Sequence, residues 1–242
     1  MQNIIRNWDG SPTIFDGDIE EGCNFDNTLI EGYATVILDK DYLDEINTIV
    51  DNYDVSKDLI TLLTDISNLV TNYFFSKENN DLNRKETYGK NYVVDENGMI
   101  IGTKMSSLKG KNIAECSEKS LTGYIIMNKL FKEGKIKSKP VLVLSTLSTE
   151  TLEEGPHAFI LIDREHNEFP TKHILFDINN PSLIEDNGKE YRMVGVYALT
   201  DEEYDNLKEG TSITPKSLME YASPDFKEIG EKRTFGSKTK TK

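Results

Sequence analysis

The chain has 242 residues, 37% of them hydrophobic and 29% charged, enough for one sizeable core or for a core with a helical appendage. Its 42 acids against 28 bases, a net charge of −14, weigh against nucleic acid, whose phosphates demand clustered Lys and Arg, and against an anionic membrane surface. A basic or protein substrate, or plain solubility, fits that balance better.

In chain order, the opening MQNIIRNWDGSPTIFDGD has no basic region followed by an apolar stretch and a small-residue cleavage site, so no signal peptide is expected. No apolar run approaches the roughly 20 residues that span a bilayer, so no membrane insertion is expected. The protein reads as cytoplasmic, or as exported without a classical signal peptide. Residues 1–40 are rich in Gly, Asp and Asn, with one strand-like run from Tyr33 to Leu38. Ile46, Ile49, Val50 and Tyr53 recur at helical spacing over 41–53. A broader apolar stripe from Leu59 to Phe74 marks a helix over 56–75, with Ser56 as its cap. These helices offer a surface through which a partner could be held. The polar stretch 76–87 reads as a linker, closing a largely helical region over 1–87.

Beyond it the texture changes. NYVVDENGMIIG (91–102) places two apolar runs around Asn97-Gly98, a strong hairpin signal. Asn112 and Glu115 match a capping box and open a helix that ends near Gly134. Four apolar runs follow, KPVLVLST, HAFILID, KHILFDI and YRMVGVYAL, separated by polar turns. Thr200 and Glu203 open a short helix closed by Gly210, and Thr214-Pro215 starts another. The expected class is α+β: an N-terminal helical region, then a core over 88–230 with one helix on a largely antiparallel sheet. Residues 231–242, EKRTFGSKTKTK, read as a disordered basic tail.

Two cysteines, Cys23 and Cys116, are too few for a disulfide-stapled scaffold, and no cluster offers the four close ligands of a zinc site; neither metal nor cofactor is expected. Cys116 falls in the first turn of the 112–134 helix, where free N–H groups and the helix dipole favour a thiolate. Glu115 and Glu118 oppose that effect, so an imidazolium is needed nearby. Of the three histidines, His157 begins one apolar run and Asp177 ends the next. An antiparallel fold-back centred on Asn167 sets them opposite each other on one face, with Cβ atoms about 5 Å apart. Phe159 then meets Leu175, and Leu161 meets His173. Ala158, Ile160 and Ile162 meet Ile178, Phe176 and Ile174 in an apolar layer on the other face. His173 cannot be oriented by Asp177, about 13 Å along the same strand. His166 lies in a polar turn. Asp177 could instead only cap the turn at Asn179-Asn180-Pro181, and a lone free cysteine is often a small buried hydrophobe.

The order Cys…His…Asp, carried by NIAECSEKSLTGYIIMNKLFKEG, PVLVLS, GPHAFILID and HILFDINNP, resembles the transglutaminase-like branch of the papain-like superfamily over roughly residues 110–200. The resemblance implies a nucleophile-bearing helix packed on an antiparallel sheet, and a thioester-forming enzyme acting on an amide of a protein or peptide. Cys116 would attack, His157 would act as base and then acid, and Asp177 would orient His157. The oxyanion donors would be the cysteine's own N–H and one upstream group, Asn91 or Asn112. A hydrolase (peptidase or glutamine deamidase) is the first reading; transglutaminase or acyltransferase activity, or a non-catalytic protein-binding module, are the alternatives.

Overall fold

The computed structural model describes residues 2–7, 11–26, 35–53, 58–77, 83–94, 96–98, 100–163, 173–222 and 225–237. Four short strands come first, β1 (Asn3–Ile4), β2 (Thr13–Phe15), β3 (Asn24–Asp26) and β4 (Thr35–Ile37). The helices α1 (Lys40–Asp51), α2 (Leu59–Phe74) and α3 (Arg84–Lys90) follow, then β5 (Tyr92–Val94), β6 (Ile100–Lys104) and a 3-10 turn at Met105–Leu108. The long elements are α4 (Cys116–Lys132), β7 (Lys139–Ser148), β8 (Gly155–Asp163), β9 (His173–Asp186) and β10 (Lys189–Leu199). The chain closes with α5 (Asp201–Lys208), β11 (Lys216–Ser217), α6 (Leu218–Ala222), β12 (Lys227–Glu228) and β13 (Thr234–Phe235).

The class is α+β. An antiparallel sheet ordered β11-β10-β9-β8-β7-β13, with β12 on β9 and β2 on β7, carries α4 against β7, β8 and β9. A smaller sheet, β1-β3-β4-β6-β5, mixes parallel and antiparallel pairs; the strand-like run at 33–38 and the 91–102 hairpin supply β4, β5 and β6, but their assembly with β1 and β3 is not readable from the sequence. Its strands run two to five residues, too few to show alternation, and their partners lie far along the chain. The hairpin at Asn97-Gly98 does form, with Gly98 at φ 77°.

Helix α4 is buried on nearly every side because the sheet covers one face and α1 and α2 the other. The apolar stripes of α1 and α2 are therefore spent inside the chain, and the main core runs from Ile4 to Leu218 across the expected boundary at residue 87. Two caps differ from expectation. Glu115, not Asn112, is the N-cap of α4, and its N–H donates to the Glu118 carboxylate at 2.9 Å. Asn112 sits at φ 58° and ties itself to the Ser76 backbone instead. At α2 the cap is Asp58, whose carboxylate accepts from Thr61 N at 3.0 Å; Ser56 lies outside the described residues, as does His166. The capping box at Thr200 and Glu203 forms as read.

The expected disordered tail needs correction over 231–237. Phe235 is fully buried against Phe159 and Tyr197, and β13 pairs with β7. One aromatic side chain with a place in the second core outweighs the polar residues around it. Residues 238–242 lie outside the described set.

The register of β8 on β9 is also corrected. Asp163 opposes His173, Leu161 opposes Leu175 and Ile160 opposes Phe176, two residues away from the expected pairing. A shift of two keeps every side chain on its face. Ala158, Ile160 and Ile162 still meet α4 together with Ile174, Phe176 and Ile178, while Phe159, Leu161 and Leu175 form a second core on the far face. His157 is thus diagonal to Asp177 rather than opposite it, and the β8–β9 ladder stops at Ile160–Phe176.

Beyond that point β9 stays paired with β10 through Gly195, opposite Asp177. A Cβ on Gly195 would lie 2.7 Å from the Asp177 carbonyl oxygen and closer still to that of Asn180. Both obstacles are backbone and cannot swing aside. Gly195→Ala should cost about 1–3 kcal/mol by overpacking, read as a lowered urea midpoint. Gly123→Ala is the contrasting case, because its nearest obstacles are the flexible ends of Ile178 and Ile160, and it should cost less. Equal losses would show that the backbone approach at Gly195 is not the constraint.

Candidate active site

Ala158 is the hinge of the site. In an antiparallel strand the N–H and C=O of one residue point to the same side. Those of Ala158 point where β9 would continue had the ladder not ended. The first turn of α4 takes their place: Ser120 Oγ donates to the Ala158 carbonyl at 2.8 Å, and the Ala158 N–H bonds the Cys116 sulfur. Cys116 is the first residue of α4 and half-buried, with its own N–H free of any intrahelical acceptor.

The structure brings Cys116, His157 and Asp177 together. The buried His157 ring donates from Nε2 to Asp177 Oδ2 at 2.8 Å and acts on the neighbouring Cys116 thiol, lowering its pKa. Asp177 is fully buried and divides its oxygens between two tasks. Oδ1 accepts the N–H groups of Asn179 (3.1 Å) and Asn180 (3.2 Å), capping the turn. Oδ2 faces His157 and also accepts Asn180 Nδ2 at 3.1 Å. The two uses read for Asp177 in the sequence therefore coexist.

The electrostatics follow from these contacts. Burial pushes the Cys116 thiol up, but the His157 hydrogen bond and charge, with the Ala158 N–H, more than reverse it, leaving Cys116 below the ordinary thiol value. Burial lowers His157, yet Asp177 and then Cys116 raise it well above an ordinary histidine. Asp177 is held below the usual carboxylate range, since the charge and hydrogen bond of His157, Asn180 and the more distant Arg233 outweigh its burial. The three directions agree on a thiolate–imidazolium pair over an ionised aspartate. No protein-family model matches this chain, and no curated protein or solved structure does either.

The other candidates are occupied elsewhere. His173 binds the carboxylates of Asp163 (2.5 Å) and Asp201 (2.9 Å) and stacks on Tyr204 with ring centroids 4.1 Å apart. Cys23 is fully buried, and burial lifts its thiol to about 11. Both asparagines considered as oxyanion donors already donate elsewhere: Asn91 Nδ2 to Thr87 O at 2.7 Å, and Asn112 Nδ2 to Ser76 O. Among the described residues no three His, Cys, Asp or Glu side chains cluster as metal ligands.

Sequence reasoning missed the residues that steady this site. Glu118 is fully buried two residues after Cys116, and its charge is met by Arg84 Nη2 at 2.6 Å and by the Tyr88 hydroxyl, both on α3. The stretch holding Arg84 looked like linker. A carboxylate buried in a helix packed on both faces requires a cation, but the sequence does not give its address. Arg233, in the supposed tail, donates to Asn180 O (2.7 Å) and Pro181 O (2.9 Å), fixing the turn that Asp177 caps.

Glu118→Gln leaves the Arg84 guanidinium, only 13% exposed, without its counter-ion. Stability should fall by about 3–5 kcal/mol, measured by urea unfolding. Adding Arg84→Met should recover part of that loss, because the stranded charge is gone. A double variant no better than the single one would show that the pair's charge balance is not what matters.

Proposed function

We propose that the chain is a thiol-dependent hydrolase that opens an amide or peptide bond through a thioester on Cys116. The observation carrying this reading is the buried imidazole of His157, bonded to Asp177 at 2.8 Å and adjacent to the Cys116 thiol, whose pKa it lowers, at the start of a buried helix. A thiolate held beside an imidazolium is both nucleophile and proton donor in waiting. The arrangement also agrees with the resemblance to the transglutaminase-like branch of the papain-like superfamily. There too a helix-start cysteine faces a His–Asp pair on strands.

In the first half-reaction the Cys116 sulfur forms a bond to the carbonyl carbon, and the Cys116 N–H stabilises the oxyanion. The C–N bond then breaks, and the leaving amine takes its proton from His157. In the second half-reaction His157 removes a proton from water, the hydroxide adds to the thioester carbonyl, and the C–S bond breaks to return the thiolate. Asp177 supports the charged imidazole throughout and fixes its orientation. An amine in place of that water would make the same site a transferase.

Iodoacetamide alkylation across pH tests the thiolate, with Cys23 as internal control. Cys116 should label well below the ordinary thiol pKa of about 8.5, while Cys23 stays unlabelled until unfolding. His157→Ala removes what lowers the thiol and leaves the burial that raises it, so the reactive pKa should rise. If Cys116 labels no faster than Cys23, the hydrolase reading fails. In turnover, the acid limb should follow thiolate protonation and the alkaline limb loss of the imidazolium proton. Asp177→Asn removes the carboxylate that raises His157, so the alkaline limb should move to lower pH. Intact mass after mixing with candidate proteins separates the outcomes: a gain of about one dalton on the partner is deamidation, fragments are proteolysis and a joined mass is transfer.

A further inference from the structure

One cavity near the start of α4 is lined by charges opposite to that of the chain as a whole. Lys119 lies one turn after Cys116 on α4, close enough for the two side chains to be neighbours on the helix surface. Its Nζ donates to Asn179 Oδ1 at 2.8 Å, joining α4 to the turn that Asp177 caps. A cavity of about 490 Å³ opens here between α2 and the β9–β10 pair, with Lys119, Asn179 and Arg192 among its lining residues. Thr64, Ser67, Asn68 and Thr71 of α2 add hydroxyl and amide groups, and none of the described lining residues is acidic.

The carboxylates that act on Lys119 each have another partner. Glu118 is engaged by Arg84 and Tyr88, Glu115 lies 4.0 Å from Arg84 Nε, and Asp177 is engaged by His157 and Asn180. Among the described residues neither Lys119 nor Arg192 has a carboxylate within ion-pair distance. Two depressions continue the cavity. One shares Lys119 and is walled by Phe74, Phe75 and Ala114; the other shares Asn179, Pro181 and Arg192 and reaches Arg233, with Glu228 and Glu231 also on its walls. The stretch without a described acid is the cavity itself, where Lys119 stands one turn from Cys116.

Building on the hydrolase reading, we propose that the site selects a peptide substrate bearing a carboxylate side chain next to the reacting amide, held between Lys119 and Arg192. This reverses the expectation of a basic substrate drawn from net charge. Net charge describes the far field, whereas a cavity is governed by the few groups that line it.

The test reads binding, so it does not depend on whether Cys116 reacts. Dye-labelled peptides differing only in Glu, Gln or Lys are titrated into the full chain carrying Cys116→Ala, followed by fluorescence anisotropy. The Glu peptide should bind about tenfold more tightly than the Lys peptide, with Gln between, and high salt should shrink the difference. Arg192→Gln should reduce the preference severalfold, and Arg192→Glu should turn it toward Lys; both alter an exposed side chain. Lys216→Gln, an equal charge change outside the cavity, should leave the preference intact. Equal binding of the three peptides, or a preference lowered as much by Lys216→Gln as by Arg192→Gln, would overturn the proposal. The alkylation profile of Cys116 stands or falls separately, so failure of the anionic subsite and failure of the hydrolase reading are distinct results.

Discussion

The β8–β9 ladder ends at Ile160–Phe176, and the neighbourhood of Cys116 depends on that ending. A strand whose neighbour departs is left with backbone donors and acceptors facing an apolar interior, which is costly unless other groups meet them. Here the first turn of α4 meets them at Ala158, so satisfying the sheet and placing the cysteine are one event. The same divergence lets β9 turn at Asn179–Pro181 while β10 passes close behind at Gly195. Strand, helix and turn then arrive together at a single imidazole.

Around that junction the chain buries charge and balances it locally. Glu118 is answered by Arg84 and Tyr88, Asp177 by His157, Asn180 and, at longer range, Arg233. Each pair has a sign with respect to pH. Asp177 and Glu118 are both held low, so their contributions are present above their unfolded values near 4 and are lost as pH falls through the folded ones. His157 is raised, so its contribution is complete below its unfolded value of about 6.5 and is lost as pH rises through the folded one. The ionised core is therefore favoured between those limits, the interval in which a thiolate beside an imidazolium also persists.

Much of this was legible in the sequence, and the residues show why. Period-two alternation placed His157 and Asp177 on one face, and that parity survived a two-residue error in register, because a slip of two leaves faces unchanged. The helix bearing Cys116 and its end at Gly134 were readable from local chemistry. The error at its cap, Asn112 for Glu115, arose because an Asn with positive φ and a capping Asn look alike in one dimension. Arg84, Arg233 and Phe235 were out of reach for a different reason. Their partners, Glu118, the carbonyls of Asn180 and Pro181, and Phe159, lie 34 to 76 residues away, and no local period encodes such distances.

That contrast bears on how charge should be read in a chain of this composition. A net charge of −14 is spread over a surface where exposed carboxylates are screened within about 10 Å at ordinary salt. Lys119 and Arg192 face one cavity whose described lining holds no acid, and at that range two cations outweigh many distant carboxylates. Glu115, Glu118 and Asp177, the acids around Lys119, are engaged by Arg84, Tyr88, His157 and Asn180, while Glu228 and Glu231 line the adjoining depression beside Arg192. Charge inside a cavity is thus set by the groups that line it, and an anionic surface can surround a cavity lined by cations.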